Sequence, residues 1–310
     1  MSDESWPNLF IVGAAKAGTT SLYHYLAQHP DVYMTPMKEP HFFSRIRPAP
    51  ELEAFFPHVT DEATYLSLFT AARAEKVRGE ASTSYLSHPD VPEEIWLRRP
   101  DAKIVIMLRD PLERAYSNYW NDVREGIEHR SFAGAVSEEL TGPPGTWGVS
   151  SLYVNGGLYA ERVERYLEKF GGNVLVLFFE EFVQDIRNTL ERVFAFLEVD
   201  PVWAARIEPE VHNPFALPRN LLGHRLLGSG TVRSVARVLL PRSLRAYGRS
   251  RLVASAEKPP MERDIRRRLL EIYERDVDRL SDLLGRRPPW PAFEKSAGLK
   301  SSSEGLSTRS

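Results

Sequence analysis

No cysteine occurs among the 310 residues. A disulfide scaffold, a zinc–cysteine site, an iron–sulfur cluster and a thiol nucleophile are therefore excluded. Long hydrophobic runs are also missing: no window approaches 18 apolar residues, so no membrane-spanning helix is expected. The opening MSDESWPNLF carries acids where a secretory signal needs Lys or Arg. With cysteine absent as well, a cytoplasmic protein is the expectation. Net charge is scarce too. Forty Lys and Arg against 42 Asp and Glu leave −2, so no global field draws the chain onto nucleic acid. What is present, 42% hydrophobic and 26% charged residues, is ordinary for a soluble globular protein that buries a sizeable core.

The small net charge hides an asymmetry. Residues 219–258 hold eight Arg and one Lys against one acid, Glu257, a local charge of +8. Such a block is a solvated helical face, an anion-binding lid or a basic helix resting on anionic lipid. Val232, Val235, Val238 and Leu239 recur at helical spacing, so part of it is expected to pack as an amphipathic helix.

Apolar runs at 8–12 (NLFIV), 102–108 (AKIVIML) and 173–179 (NVLVLFF) do not alternate with polar residues. They predict strands buried on both faces, with shorter strands at 32–34 and 76–79. Helices are expected over 19–28, 60–72, 93–99, 112–125, 159–170 and 187–197, with Thr19 or Thr20 capping the first. Alternating strand and helix argues for an α/β fold: a central parallel sheet covered on both faces. Residues 141–151 read as a loop, 218–284 as wholly helical, and 288–310 as a tail. The division expected is one domain over 1–293, with a cofactor core at about 8–200, a helical lid at about 215–290 and a disordered tail over 294–310.

The first strand runs into Gly13-Ala14-Ala15-Lys16-Ala17-Gly18-Thr19-Thr20-Ser21, and a helix follows. Strand, small-residue loop and helix aim backbone N–H groups at an anion. Thr19, Thr20 and Ser21 add hydroxyl donors, and Lys16 an ammonium. The ATPase pattern G-x-x-x-x-G-K-[ST] has Lys directly after its second glycine; here that residue is Thr19. The loop suits a phosphate but lacks the usual equipment for γ-phosphoryl transfer. A second anion site is expected at Arg109, which ends the most apolar strand, with Ser117 in the helix behind it. Arg114 reads as a surface residue.

KAGTTSLYHYL at 16–26, HPDVY at 29–33, KEPHFF at 38–43, GEASTSYL at 79–86 and IVIMLRDPLERAYSNYW at 104–120 together resemble the sulfotransferases that use 3′-phosphoadenylyl sulfate (PAPS), carbohydrate and heparan type, as a bacterial-like member. The resemblance implies a three-layer, P-loop NTPase-like fold. It also implies sulfuryl transfer from PAPS to a hydroxyl or amine of a carbohydrate, glycolipid or small metabolite. Lys16 to Ser21 would hold the 5′-phosphosulfate, with Lys16 bridging the leaving phosphate and the sulfuryl group. Arg109 and Ser117 would hold the 3′-phosphate, and Arg219 and Lys258 would belong to a basic lid. No metal is implied.

The resemblance implies that Glu39 is the base that takes the acceptor proton; read from the residues alone it is that or a solvated loop carboxylate. Pro40 keeps it extended, and Phe42 and Phe43 are expected to wall it and raise its pKa. His41 is either a competing base or a satisfied structural residue. Glu80 is either an acceptor contact or a partner for Lys16 or Arg109, and Ser84 is expected beside the acceptor. Ala81 stands where such sequences often carry Lys. The alternatives are an ATP-dependent kinase or NTPase on a variant loop, and a non-catalytic adenosine-bisphosphate binder.

Overall fold

The computed structural model describes residues 5–44, 58–142, 151–209 and 258–294, with the backbone of 216–218 and 253–255. Five strands form the central sheet: β1 (Leu9–Gly13), β2 (Val32–Met34), β3 (Val77–Ala81), β4 (Lys103–Leu108) and β5 (Val174–Phe178). Their order is β2-β3-β1-β4-β5, and every pairing is parallel. Every residue of β1 is buried, as is all of β4 beyond Lys103. That is why these central strands read as unbroken apolar runs. The edge strands β2 and β5 are covered less completely.

Helices cover both faces, giving the expected three layers. On one face lie α1 (Thr19–Leu26), α7 (Phe179–Gln184) and α8 (Ile186–Phe196), joined by ring contacts such as Tyr25–Phe182 and His29–Phe194. On the other lie α3 (Val91–Arg98), α4 (Pro111–Glu125), α6 (Ala160–Phe170) and α9 (Arg263–Leu284), which pack on one another. The two remaining early helices are α2 (Glu62–Ser67) and α5 (Phe132–Thr141). α4 starts and stops as its sequence dictates. Asp110 Oδ1 accepts from Leu112 N at 2.9 Å, Pro111 opens the first turn, and Gly126 closes the helix at φ 73°.

Several expectations are corrected. α1 begins after Gly18, with no side-chain cap from Thr19 or Thr20. α5 has no sequence counterpart above; Ser131 caps it, accepting from Gly134 N at 3.1 Å. The stretch 218–284 is not wholly helical. β6 (Ala216–Pro218) and β7 (Val253–Ser255) pair antiparallel, and α9 is its one described helix. Residues 288–294 are no loose tail. Trp290 and Phe293 are buried, and a short helix, α10, spans Pro291–Glu294. Trp290 Nε1 donates to Glu180 Oε2 at 3.0 Å, while Glu180 Oε1 accepts from Asp110 N at 3.0 Å. The chain's last described turn thus braces the ends of β4 and β5. Arg219 and the rest of the basic block before Lys258 lie outside the described residues, apart from the β7 backbone.

Candidate active site

All five sheet strands end at one edge, and each delivers site residues there. β1 leads into the loop ending at Gly18, β2 into the loop carrying Glu39, β3 into Ser82 and Thr83, β4 into Arg109, and β5 into Phe179. In a parallel sheet this carboxyl edge, where the order reverses around the first strand, is the place for a ligand crevice.

The loop between β1 and α1 wraps Lys16, whose backbone sits at φ 68°. Its ammonium crosses to α4 and donates to Asn121 Oδ1 at 3.1 Å. Burial, then the nearby Arg124, pushes the Lys16 pKa down to about 8. Gly18 takes φ 89° at the helix start, and a Cβ there would stand 2.8 Å from the Phe179 ring. Only glycine fits both demands. Ala17 and Thr19 are buried, while Thr20 and Ser21 are half-buried. No side chain caps the N–H groups of the first turn of α1.

Arg109 lies directly beside this loop. Its Nη1 donates to the Lys16 carbonyl at 3.1 Å, and its guanidinium stacks 4.6 Å from the Phe179 ring centre. Phe179 is thus the common floor of Gly18 and Arg109. Nothing in its sequence position marks it. Glu113, one helical turn on, stands 3.9 Å from Arg109 and 2.6 Å from Lys258 Nζ. Lys258 also lies over Tyr116, 5.1 Å from the ring centre. Arg109 and Lys258, 149 positions apart in sequence, therefore face one carboxylate. Ser117 is half-buried in the second turn of α4.

Glu39 is not extended as Pro40 predicts: it sits in the left-handed region at φ 61°, its backbone N–H tied to the Ala81 carbonyl at 2.9 Å. Lys38 Nζ donates to Oε1 at 2.6 Å. Thr83 N donates to Oε2 at 3.0 Å, and the Thr83 hydroxyl reaches the same oxygen at 3.0 Å. His41 Nε2 is 3.3 Å away. The expected rise in pKa is overturned. Burial pulls upward, but Lys38, His41 and the Thr83 hydrogen bonds outweigh it and hold the carboxyl at about 2. The aromatic wall is absent because Phe42 stacks on Tyr65 at 4.3 Å, and Phe43 packs edge-on against Tyr85.

Three residues expected at the acceptor stand behind Glu39. His41 is 3% exposed, with Nδ1 2.7 Å from Ser84 Oγ. Ser84 is wholly buried and also contacts Ser44 Oγ at 2.9 Å. Glu80, also wholly buried, meets neither Lys16 nor Arg109. It accepts from Tyr65 Oη at 2.6 Å, Tyr85 Oη at 2.8 Å and Ser82 Oγ at 2.7 Å. These hydroxyls make it part of the frame. Burial raises its pKa to about 7. Between the ordinary carboxyl value near 4.5 and about 7 the folded state then binds the extra proton. The Glu80 contribution to stability is therefore full below about 4.5 and is lost as pH rises to about 7. Glu80→Gln is expected to remove that fall, measured as the slope of Tm between those two pH values; an unchanged slope would refute the assignment.

Arg114 is not on the surface. It is 1% exposed and donates to the carbonyls of Leu152 at 2.7 Å and Tyr153 at 2.6 Å. A Cβ on Gly156 would stand 2.7 Å from its Nη1, so glycine lets that segment close over the guanidinium. Sequence reasoning also missed Asn121 and Thr83, the partners of Lys16 and Glu39. Asn121 follows Ser117 at i+4 on one face of α4, a signal that was available; Thr83 is brought in only by the sheet.

A family model described as a sulfotransferase domain matches residues 7–213. Human heparan sulfate glucosamine 3-O-sulfotransferase 6 is 30% identical over 194 residues, which are 62% of this chain and 52% of that protein. Mouse carbohydrate sulfotransferase 15 is 29% identical, over 63% of this chain and 44% of its own length. The chain thus spans about half the length of these curated relatives. Among solved structures, a sulfotransferase from Alicyclobacillus acidocaldarius is 33% identical with a TM-score of 0.70. That match covers 91% of this chain and 97% of the other.

Proposed function

The chain belongs to the sulfotransferase family, and on that premise we propose that it transfers a sulfuryl group from PAPS to a hydroxyl or amine of a carbohydrate or other small acceptor. One observation carries this reading: two cationic groups come together at one sheet edge. Lys16 reaches from the α1 N-terminal loop to Asn121, and Arg109 grips the Lys16 carbonyl and shares Glu113 with Lys258. PAPS has the matching anions, a 5′-phosphosulfate at one end and a 3′-phosphate at the other. The donor set fits: backbone N–H groups and an ammonium for the first, a planar guanidinium and a second ammonium for the other. Bound PAPS supplies an activated sulfuryl group whose leaving group is the 5′-phosphate of adenosine 3′,5′-bisphosphate.

The chain's own part is to position and to neutralise. Lys16 would meet the leaving phosphate oxygen, where negative charge builds as the S–O bond breaks. Asn121 holds its ammonium at 3.1 Å. Thr19, Thr20, Ser21 and the loop N–H groups hold the 5′ end, and Ser117 supports Arg109 at the 3′ end. Glu39 takes the acceptor proton as the acceptor oxygen bonds to sulfur. It suits this better than His41 because its side chain is 25% exposed against 4%, and both ring nitrogens of His41 are engaged.

The test is transfer of label from 35S-PAPS to a panel of sugars, glycolipids and phenols. No product across the panel, with magnesium-dependent ATP turnover instead, would favour a kinase. Calorimetry on adenosine 3′,5′-bisphosphate checks the 3′ site. Arg109→Ala is expected to weaken binding about 10- to 150-fold, the worth of a charged hydrogen bond at about 1.5–3 kcal/mol. Unchanged affinity would remove Arg109 from the cofactor site.

A further inference from the structure

Glu39 is spoken for on both oxygens. Oε2 accepts from the Thr83 amide and hydroxyl and lies 3.3 Å from His41 Nε2. Thr83 and His41 are buried, and the Glu39 backbone is pinned to Ala81, so this half of the carboxylate is fixed. Oε1 is different. Its close partner is the Lys38 ammonium at 2.6 Å, carried on a flexible side chain that is 21% exposed. Among the described residues, Oε1 otherwise meets only the Thr83 hydroxyl, at 3.2 Å. A hydroxyl that is to lose its proton to Glu39 must reach a carboxylate oxygen within about 2.6–3.2 Å. Among the described contacts of Glu39, the one able to give way without unfolding the loop is Lys38.

We propose that Lys38 is a positioning residue that gates the base. Its ammonium covers Oε1, and an acceptor bearing an anionic group beside its reacting hydroxyl draws the ammonium off and is preferred for that reason. The ammonium exchanges one carboxylate partner for another anion, so it stays paired while Glu39 Oε1 is released. A neutral acceptor offers no such exchange and must strip the ion pair unaided. Among the described residues, the charged groups facing Glu39 are Lys38 and His41 on its own loop and Glu80 at the end of β3; His88 and His58 bear on His41. Lys38 is the first of these in lowering the Glu39 pKa, so moving it away also makes Glu39 a stronger base. The preference for a charged acceptor rests on the sulfotransferase reading; the ion pair and its effect on Glu39 do not.

Two measurements test the proposal. The first uses the protein alone. With 13C-carboxyl glutamate, and Glu39→Gln for assignment, the Glu39 resonance is followed down to pH 4 in wild type, Lys38→Met and Lys38→Arg. Wild type and Lys38→Arg are expected to stay ionised throughout. Lys38→Met is expected to begin protonating as its midpoint moves up toward the ordinary value of about 4.3. The same behaviour in all three overturns the gate. The second compares p-nitrophenyl β-D-glucuronide with p-nitrophenyl β-D-glucoside as acceptors for 35S-PAPS. Wild type and Lys38→Arg are expected to favour the glucuronide about tenfold or more in kcat/KM, about one charge-assisted hydrogen bond, and Lys38→Met to lose the preference. Equal preference in wild type and Lys38→Met also overturns it. If wild type transfers to no acceptor of the wider panel, the sulfotransferase reading fails, and the carboxyl titration still decides the ion pair.

Discussion

Lys16→Met is expected to lower kcat about 10²–10³-fold, the typical loss when one preorganised donor to a developing negative charge is removed. Methionine keeps the length of the side chain and removes the charge. The loop should hold its shape, because Arg109 grips the Lys16 carbonyl and not the side chain. Affinity for adenosine 3′,5′-bisphosphate should change far less than kcat, since the loop amides and Arg109 remain. Single-turnover rates beside calorimetry separate the two effects. A pH signature accompanies the variant. The Lys16 pKa is about 8, so the charged form that catalysis needs disappears above that pH. The kcat/KM of wild type should fall along an alkaline limb near 8, because kcat/KM reports the free enzyme. A bound phosphate favours the ammonium, so the limb in kcat should lie higher. A fall of less than tenfold in kcat for Lys16→Met would mean that charge on the leaving group is met elsewhere.

Glu39→Gln should cost about 10²–10⁴ in kcat, the usual range for a general base. The amide oxygen can still accept from Thr83, so the loop stays in place and the loss reports proton transfer. Cofactor affinity should be unaltered, because the Lys16 and Arg109 sites do not touch Glu39. The free carboxyl is held at about 2, so no acidic limb from this group should appear in kcat/KM above about pH 4. A loss below tenfold would pass the role of base to His41, and His41→Asn would then carry the larger effect.

The frame of the fold was legible because of where its strands lie. β1 and β4 are sandwiched between helix layers, and that burial writes an unbroken apolar run into the chain. The small-residue loop was legible because its residues are contiguous from Lys16 to Ser21. β6 and β7 were not. Each has three residues, and pairing across 216–255 leaves no local periodicity. α5 was missed because its pattern FAGAVSEELT is only weakly amphipathic, although Ser131 is an ordinary N-cap signal. Pro-rich chain around Trp290 reads as tail, yet its indole N–H finds Glu180 from another layer.

The α/β frame, the family and the placing of Lys16 and Arg109 at one sheet edge were already written in the linear chain. Those follow from runs and motifs in which neighbours along the chain are also neighbours in space. Only the tertiary structure decided the electrical state of the site. Phe42 and Phe43 turn to Tyr65 and Tyr85, and Thr83, 44 positions away, donates to Glu39. Lys38 closes the ion pair. Arg114, polar by composition, is buried because the carbonyls of Leu152 and Tyr153 come to it. A pKa and a burial are sums over whatever lies within a few ångströms, and folding chooses those neighbours from distant parts of the chain.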